Sequence, residues 1–387
     1  MTKIYLDNNA TTFPLPEVIR AMKEVQESVF GNPSSIHWAG REARNLINSA
    51  REKIASLLGA EETEIVFTSG GTESINTALV GIWEGRETAD RRQESGERFE
   101  IISSPLEHHA SLKSLEYLKT KGAEVVLLKV DRQGRIDLEE LGQKISSKTL
   151  LVSLMGANNE TGNLSPIQKI GEICREKKVL FHCDAVQAMG KVPLSIKKIP
   201  VDLLSFSAHK FHGPKGVGGL FIRQGVKLSP LHRGGNQERG LRGGTEGLTM
   251  IHGMALALEV VSKELESSYG KLFLLRKRLE EGLLKGLDGV RVNGDGEGRL
   301  SNTSNLLVEG VDGESLLFNL DLEGIAVSAG AACESGSLDP SHVLLAMGLN
   351  PRQAKASIRF SFSKMNTQEE VERVLEIFPR IVNRLRK

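Results

Sequence analysis

The chain has 387 residues, 39% of them hydrophobic and 26% charged, which is enough to bury a large core in two domains. A formal net charge of +1 gives no global attraction to nucleic acid or to an anionic membrane. Its three cysteines have no zinc-site or disulfide spacing, and no uncharged apolar run approaches the roughly 20 residues of a membrane helix. The N-terminus lacks the apolar core of a signal peptide, so the expectation is a soluble protein of a reducing compartment, the cytoplasm, bound neither to nucleic acid nor to membrane.

From about residue 40 to residue 225, apolar runs alternate with helical patterns. Leu46, Ala50, Ile54, Leu57 and Leu58 share one helical face, and Gly59 is the expected C-terminal stop. Strands are predicted over 64–68, 100–103, 124–130, 149–154, 179–182, 201–206 and 219–222. Near-continuous apolar strands separated by helices predict an α/β fold with a mostly parallel seven-stranded sheet covered on both faces. Ligands of such sheets bind beyond the strand ends. Residues 86–98 carry four acidic and four basic side chains and read as a solvated connection. After about residue 250 a long amphipathic helix, shorter elements and a final helix suggest a smaller α+β domain. Thr367 with Glu370 offers a capping box for the last helix, with Val371, Val374, Leu375 and Phe378 on its buried face.

The residue types able to carry chemistry cluster after the predicted strands. Lys210 ends Ser205-Phe206-Ser207-Ala208-His209-Lys210 and is followed by a glycine-rich tail, while Asp184 ends another apolar run. Pyridoxal phosphate (PLP) needs such a pair: a lysine for its aldehyde and an acid for its pyridinium nitrogen. Thr68-Ser69-Gly70-Gly71-Thr72-Glu73-Ser74 joins a strand to a helix, either as a phosphate cup at the helix start or as an ordinary turn. Within Glu107-His108-His109, an imidazole either stacks on a planar cofactor and moves protons or serves a helix start. Asn158-Asn159-Glu160-Thr161-Gly162 is either an amide-bearing binding loop or a plain turn. Cys174 and Cys183 read as structural. Cys333 lies among small residues that cannot pack a core, in a loop either mobile or closely opposed to a ligand. With an ordinary thiol pKa of about 8.5 it needs an activator to work as a nucleophile.

Taken together these motifs resemble the NifS/IscS-type cysteine desulfurases of the class V aminotransferase group. The resemblance runs through Tyr5-Leu6-Asp7-Asn8-Asn9-Ala10-Thr11-Thr12, Gly31-Asn32-Pro33-Ser34-Ser35-Ile36-His37, Gly71-Thr72-Glu73-Ser74 and Glu107-His108. It continues through Asn158-Asn159-Glu160, Asp184-Ala185-Val186-Gln187, Ser207-Ala208-His209-Lys210, Gly243-Gly244-Thr245 and Ser357-Ile358-Arg359-Phe360-Ser361. It implies a fold-type I PLP enzyme, a homodimer, with a large domain over 16–260 and a small one from 1–15 plus 261–387 that carries the Cys333 loop. It implies Lys210 as the Schiff-base lysine, Asp184 on the pyridinium nitrogen, Gln187 on the phenolic oxygen and His108 stacked on the ring. Asn159 would touch cofactor or substrate. Gly71, Thr72, Ser207 and His209 would hold the phosphate, Thr245 would reach in from the partner subunit, and Arg359 would clamp the substrate carboxylate. No metal is expected.

The implied reaction converts L-cysteine to L-alanine and leaves its sulfur on Cys333 as a persulfide, for an acceptor protein in iron–sulfur assembly or thiolation. Selenocysteine lyase or cystine C–S lyase chemistry is the alternative on the same fold. Two departures stand out. The cup reads Ser-Gly-Gly-Thr where relatives more often have alanine before the threonine, and Glu334 puts a negative charge beside Cys333. The loop running on through Leu338-Asp339-Pro340-Ser341-His342 matches the IscS-like branch better than the SufS-like one.

Overall fold

The computed structural model describes residues 3–85, 99–329 and 339–387. Its strands are β1 (Ile4–Tyr5), β2 (Ile65–Thr68), β3 (Glu100–Ser103), β4 (Glu124–Leu127), β5 (Thr149–Met155), β6 (Leu180–Asp184), β7 (Leu203–Ser207) and β8 (Gly218–Ile222). Then follow β9 (Val290–Asn293), β10 (Thr303–Val308), β11 (Ile325–Ala326), β12 (Ser328–Ala329) and β13 (Ser357–Ser361). Strands β2 to β8 form one seven-stranded sheet in the order β2-β8-β7-β6-β5-β3-β4. Its neighbours are parallel except β8, which runs antiparallel to both β7 and β2.

All seven predicted strands are present, with three ends shifted by more than one residue. The edge strand β4 is shorter than predicted, stopping at Leu127. β6 continues two residues further than predicted, so Asp184 is its last residue. β7 begins only at Leu203, although Asp202 before it already donates its amide to Phe181 O at 2.9 Å while its carboxylate accepts the Phe181 amide at 2.8 Å. The sheet is apolar on both faces, with Val152, Phe181, Leu204 and Phe206 packed in one core and Val66, Ile101, Leu151 and Leu203 in another.

Helix Trp38–Leu58 lies on this sheet and ends, as expected, at Gly59 with φ 73°, the left-handed conformation that glycine adopts without strain. Its buried face runs through Ala43, Ile47, Ala50, Ile54 and Leu58. Ile47 takes the place expected of Leu46, which stays half-buried.

The second sheet, β12-β13-β10-β9, is antiparallel, and β1 pairs in parallel with β11 beside it. It has its own core, which includes Leu6, Leu279, Leu306, Ile358, Phe360 and Phe378. Thr367 and Glu370 form the expected capping box of the final helix Gln368–Leu385. The N-terminal segment binds the two sheets together: the Asn8 amide donates to Ser361 O at 3.1 Å and Thr12 N to His209 O at 2.9 Å.

Candidate active site

The carboxyl ends of β2, β3, β5, β6 and β7 converge on one cavity of about 260 Å³. β8, running the other way, brings its first residue to the same edge. A Cβ on Gly218 would lie 2.7 Å from the Gly70 carbonyl carbon, so two backbones meet there. Ten of the twelve site residues expected from the sequence line the cavity: Gly71, Thr72, His108, Asn159, Asp184, Gln187, Ser207, His209, Lys210 and Arg359. Thr245 is exposed and is not among the lining residues of its own chain. Cys333 lies outside the described residues.

Lys210 closes the short turn Ala208–Lys210 immediately after β7. Its Nζ donates to the carbonyl oxygens of Asn9 and Ala10, each at 2.8 Å, which aims the side chain across the cavity floor. Asp184 Oδ1 accepts the Val186 amide at 3.0 Å. Burial pushes the Asp184 carboxyl up to about 6, and the amide bond and Lys210 hold it from going further. A cationic ring nitrogen would stabilise this carboxylate in its ionised form.

His108 serves the helix start and also lines the cavity. Its Nδ1 accepts the Ala110 amide at 3.1 Å and caps helix His109–Thr120, while the ring lines the cavity. Accepting at Nδ1 places the ring proton on Nε2. Burial, then the charges of Lys210, His109 and His342, pushes His108 down to about 4, so the ring is neutral near pH 7.

Helix Gly71–Gly85 starts at the cavity, and a Cβ on Gly71 would lie 2.8 Å from Val186 Cγ2. Only glycine lets the helix start approach that closely. The helix dipole, the Thr72 and Ser207 hydroxyls and the His209 ring make this end a cradle for an anion. His209 is itself held by Thr11 Oγ1 at 3.2 Å.

On the opposite side, Arg359 of β13 donates through Nη2 to Asp7 Oδ1 at 2.7 Å and through Nη1 to Asn159 O at 3.0 Å. Its Nε is buried with no hydrogen-bond partner among the described residues. The two neighbouring asparagines divide their work. Asn158 Oδ1 accepts the amides of Glu160 and Thr161, each at 2.9 Å, and so builds the turn, while Asn159 faces the cavity.

Several participants carried no isolated sequence signal. Asn9 sits inside a motif but its role comes from contacts with residues 150 or more positions away. Glu107 is wholly buried beneath His108, with Oε1 accepting from Ser104 Oγ at 3.0 Å and from the Met155 amide at 3.1 Å. Burial, reinforced by Asp184, pushes Glu107 up to about 8. Burial likewise raises Glu160 to about 7, against a bond from Ser341 and the charge of Arg359. A larger cavity of about 680 Å³ lies behind Gly156 and Met189 and contains none of the expected site residues.

The donor set fits PLP part by part: an anion cradle, a neutral ring-facing imidazole, a buried carboxylate and a lysine amine on one small cavity. Comparison with known proteins agrees. The aminotransferase class-V family model matches residues 4–374. The chain is 48% identical over 383 residues to the cysteine desulfurase IscS of Methanosarcina thermophila, covering 99% of this chain and 93% of that one. Among solved structures, a NifS-like protein superposes with a TM-score of 0.91 at 41% identity, covering 99% of this chain and 100% of that one. A NifS-like protein from Rickettsia africae gives 0.86 at 34% identity, with the same coverage.

Proposed function

The chain belongs to the aminotransferase class-V family, and from that premise we propose how its cavity works. The protein is a PLP-dependent cysteine desulfurase of fold-type I. The observation that carries the residue assignments is the convergence of Lys210, Asp184 and the Gly71 helix start on one cavity, with Arg359 across it.

Gly71, Thr72, Ser207 and His209 would hold the cofactor's phosphate, Asp184 its ring nitrogen, Gln187 its phenolic oxygen and Lys210 its aldehyde, with His108 against the ring. When bound, PLP supplies an electron sink for the pair left behind as the substrate loses its α-proton. Lys210 Nζ would take that proton and could return it. His108 and the apolar wall of Ile75 and Ala157 exclude water from this exchange. Arg359 meets the substrate carboxylate with its planar fork, a task for which Asp7 and the Asn159 carbonyl pre-orient it.

Cys333 thiolate then attacks the substrate sulfur. The new S–S bond forms as the Cβ–S bond breaks, the electron pair goes to carbon, and a proton completes alanine. The persulfide passes to an acceptor protein, and iron–sulfur assembly or thiolation is the destination we infer. Thr245 is exposed in its own chain, and Phe30, Ile36 and Trp38 are 77%, 87% and 62% exposed; both support a homodimer in which Thr245 completes the partner's phosphate cradle. Separate hydrophobic cores support a division near 15/16 and 260/261, although Leu15 and Val261 at its edges pack in the larger core. Cytoplasmic placement rests on the cysteine pattern, alongside the fact that no described helix is long and apolar enough to cross a membrane.

The test is one turnover with L-cysteine followed by mass spectrometry. One added sulfur atom on Cys333 is expected, and Cys333→Ala should keep bound PLP while losing alanine and sulfide production. Full desulfuration by that variant would end the persulfide assignment.

A further inference from the structure

Lys191 is a buried cation that the reaction above does not use. It lies four residues beyond Gln187, in the turn after β6, and outside the residues lining the cavity. The residue is mostly buried, with an intermediate share of its surface exposed. There Nζ donates to Gln187 Oε1 at 2.6 Å and to Asn9 Oδ1 at 3.1 Å. Burial first, then the charges of Lys210 and Arg359, pushes this ammonium well below the usual lysine range. A cation placed at such cost between two others needs a structural or chemical return.

The return is visible in the amide of Gln187. Nζ donates to Gln187 here, and while it is protonated it can only donate, so the Gln187 atom facing it is the oxygen. A backbone carbonyl can only accept, so the atom facing Asn9 O, at 2.9 Å, must be the nitrogen. Two independent partners thus fix one of the two possible amide orientations, the one that keeps the NH₂ group on the side of Asn9 O, where Lys210 Nζ also docks. Asn9 is fixed in the same way. Its Oδ1 accepts from Lys191 and from Asn302 Nδ2 at 3.1 Å, and its Nδ2 donates to Thr303 Oγ1 at 2.9 Å and to Asn159 O at 3.1 Å.

We propose that Lys191 is a positioning residue that locks Gln187 as a hydrogen-bond donor toward the phenolic oxygen of the cofactor. This rests on the PLP reading of the cavity. Without Lys191 the amide's orientation rests on the Asn9 carbonyl alone, and the flipped form, which presents its oxygen to another oxygen, becomes more accessible. A donor on the phenolic oxygen withdraws electron density from it and weakens its hold on the neighbouring proton of the lysine–cofactor linkage. Losing the donor therefore raises the pH at which bound PLP changes its visible absorption. The charged and titratable groups around Lys191 are Lys210, His209, His212 and Arg359, with Asp184 acting on Lys210 and Asp7 on Arg359.

The experiment titrates the visible absorption of the PLP-loaded protein against pH. Lys191→Met should raise the midpoint by about one pH unit. Gln187→Leu should raise it by a similar amount, and the double variant should go no further than Gln187→Leu alone. An unchanged midpoint in Lys191→Met overturns the proposal. So does a full additional shift in the Gln187→Leu background, which would mark Lys191 as acting through its charge and not through Gln187. If Lys191→Met does not fold, Lys191→Gln is read instead: its neutral amide pairs with either orientation, so a smaller rise supports the lock and no rise overturns it. A wild-type protein that takes up no PLP at all would refute the cavity reading itself, a result distinct from either outcome for Lys191.

Discussion

The two walls of the cavity are made by different means. Gly71, Asp184, Ser207 and Lys210 stand within three residues of a strand end, and the parallel sheet sets their positions through its ladder. The opposite wall is assembled from the N-terminal segment and β13, where Arg359 donates to Asp7 and the Asn9 amide to Ser361 Oγ, each across 352 positions of sequence. The first wall is stiff because backbone packing leaves no room, as at Gly218 against Gly70. The second is stiff only while its hydrogen bonds are complete.

Substitutions should therefore separate the walls by kind of damage. The largest effect belongs to the sheet wall: Lys210→Ala removes the group that moves the α-proton, and alanine formation should fall by about 10³-fold. Retention of a tenth of wild-type turnover would exclude Lys210 from that role. Arg359→Ala on the opposite wall should lower kcat/KM for L-cysteine by about 10- to 100-fold, chiefly through KM, while the absorption of bound PLP stays as it was. A fall in kcat alone would move Arg359 out of carboxylate binding. A purely structural comparison comes next. A Cβ on Gly219 would sit 2.2 Å from the Phe206 ring, so Gly219→Ala should cost about 1–3 kcal/mol, read from its denaturant midpoint.

The same contrast explains what the sequence conveyed. The sheet wall was legible because each of its parts is local: an apolar run, then a lysine, an aspartate or a glycine turn at its end. His108 is legible only as two alternatives, and in the structure its Nδ1 caps the helix while the residue also lines the cavity. Asn158 and Asn159 could not be told apart, because adjacent residues in a turn point in different directions and composition does not say which. Asn9, Lys191 and Glu107 were missed as individuals. Their roles depend on partners that only the folded chain brings together, and nothing in a short window marks a lysine whose acceptors are Gln187 and Asn9.

Glu107 gives the finest test of the sheet wall, since it lies beneath it without lining the cavity. Its carboxyl is raised from 4.5 to about 8, by burial first and then by Asp184. The native protein therefore keeps this proton over a pH range where the unfolded chain has released it. The resulting stability is complete below about pH 4.5 and is lost as pH rises through about 8. Glu107→Gln has no proton to lose, and its carbonyl oxygen can still accept from Ser104 and the Met155 amide. Near pH 5 the two proteins should have similar denaturant midpoints. By pH 9 the wild type should have fallen below the variant, because it must either ionise a carboxyl sealed from water or unfold. Parallel curves from pH 5 to pH 9 would mean that the carboxyl is already ionised in the native protein, and the sheet wall would then carry two negative charges where Asp184 alone is needed for the ring nitrogen.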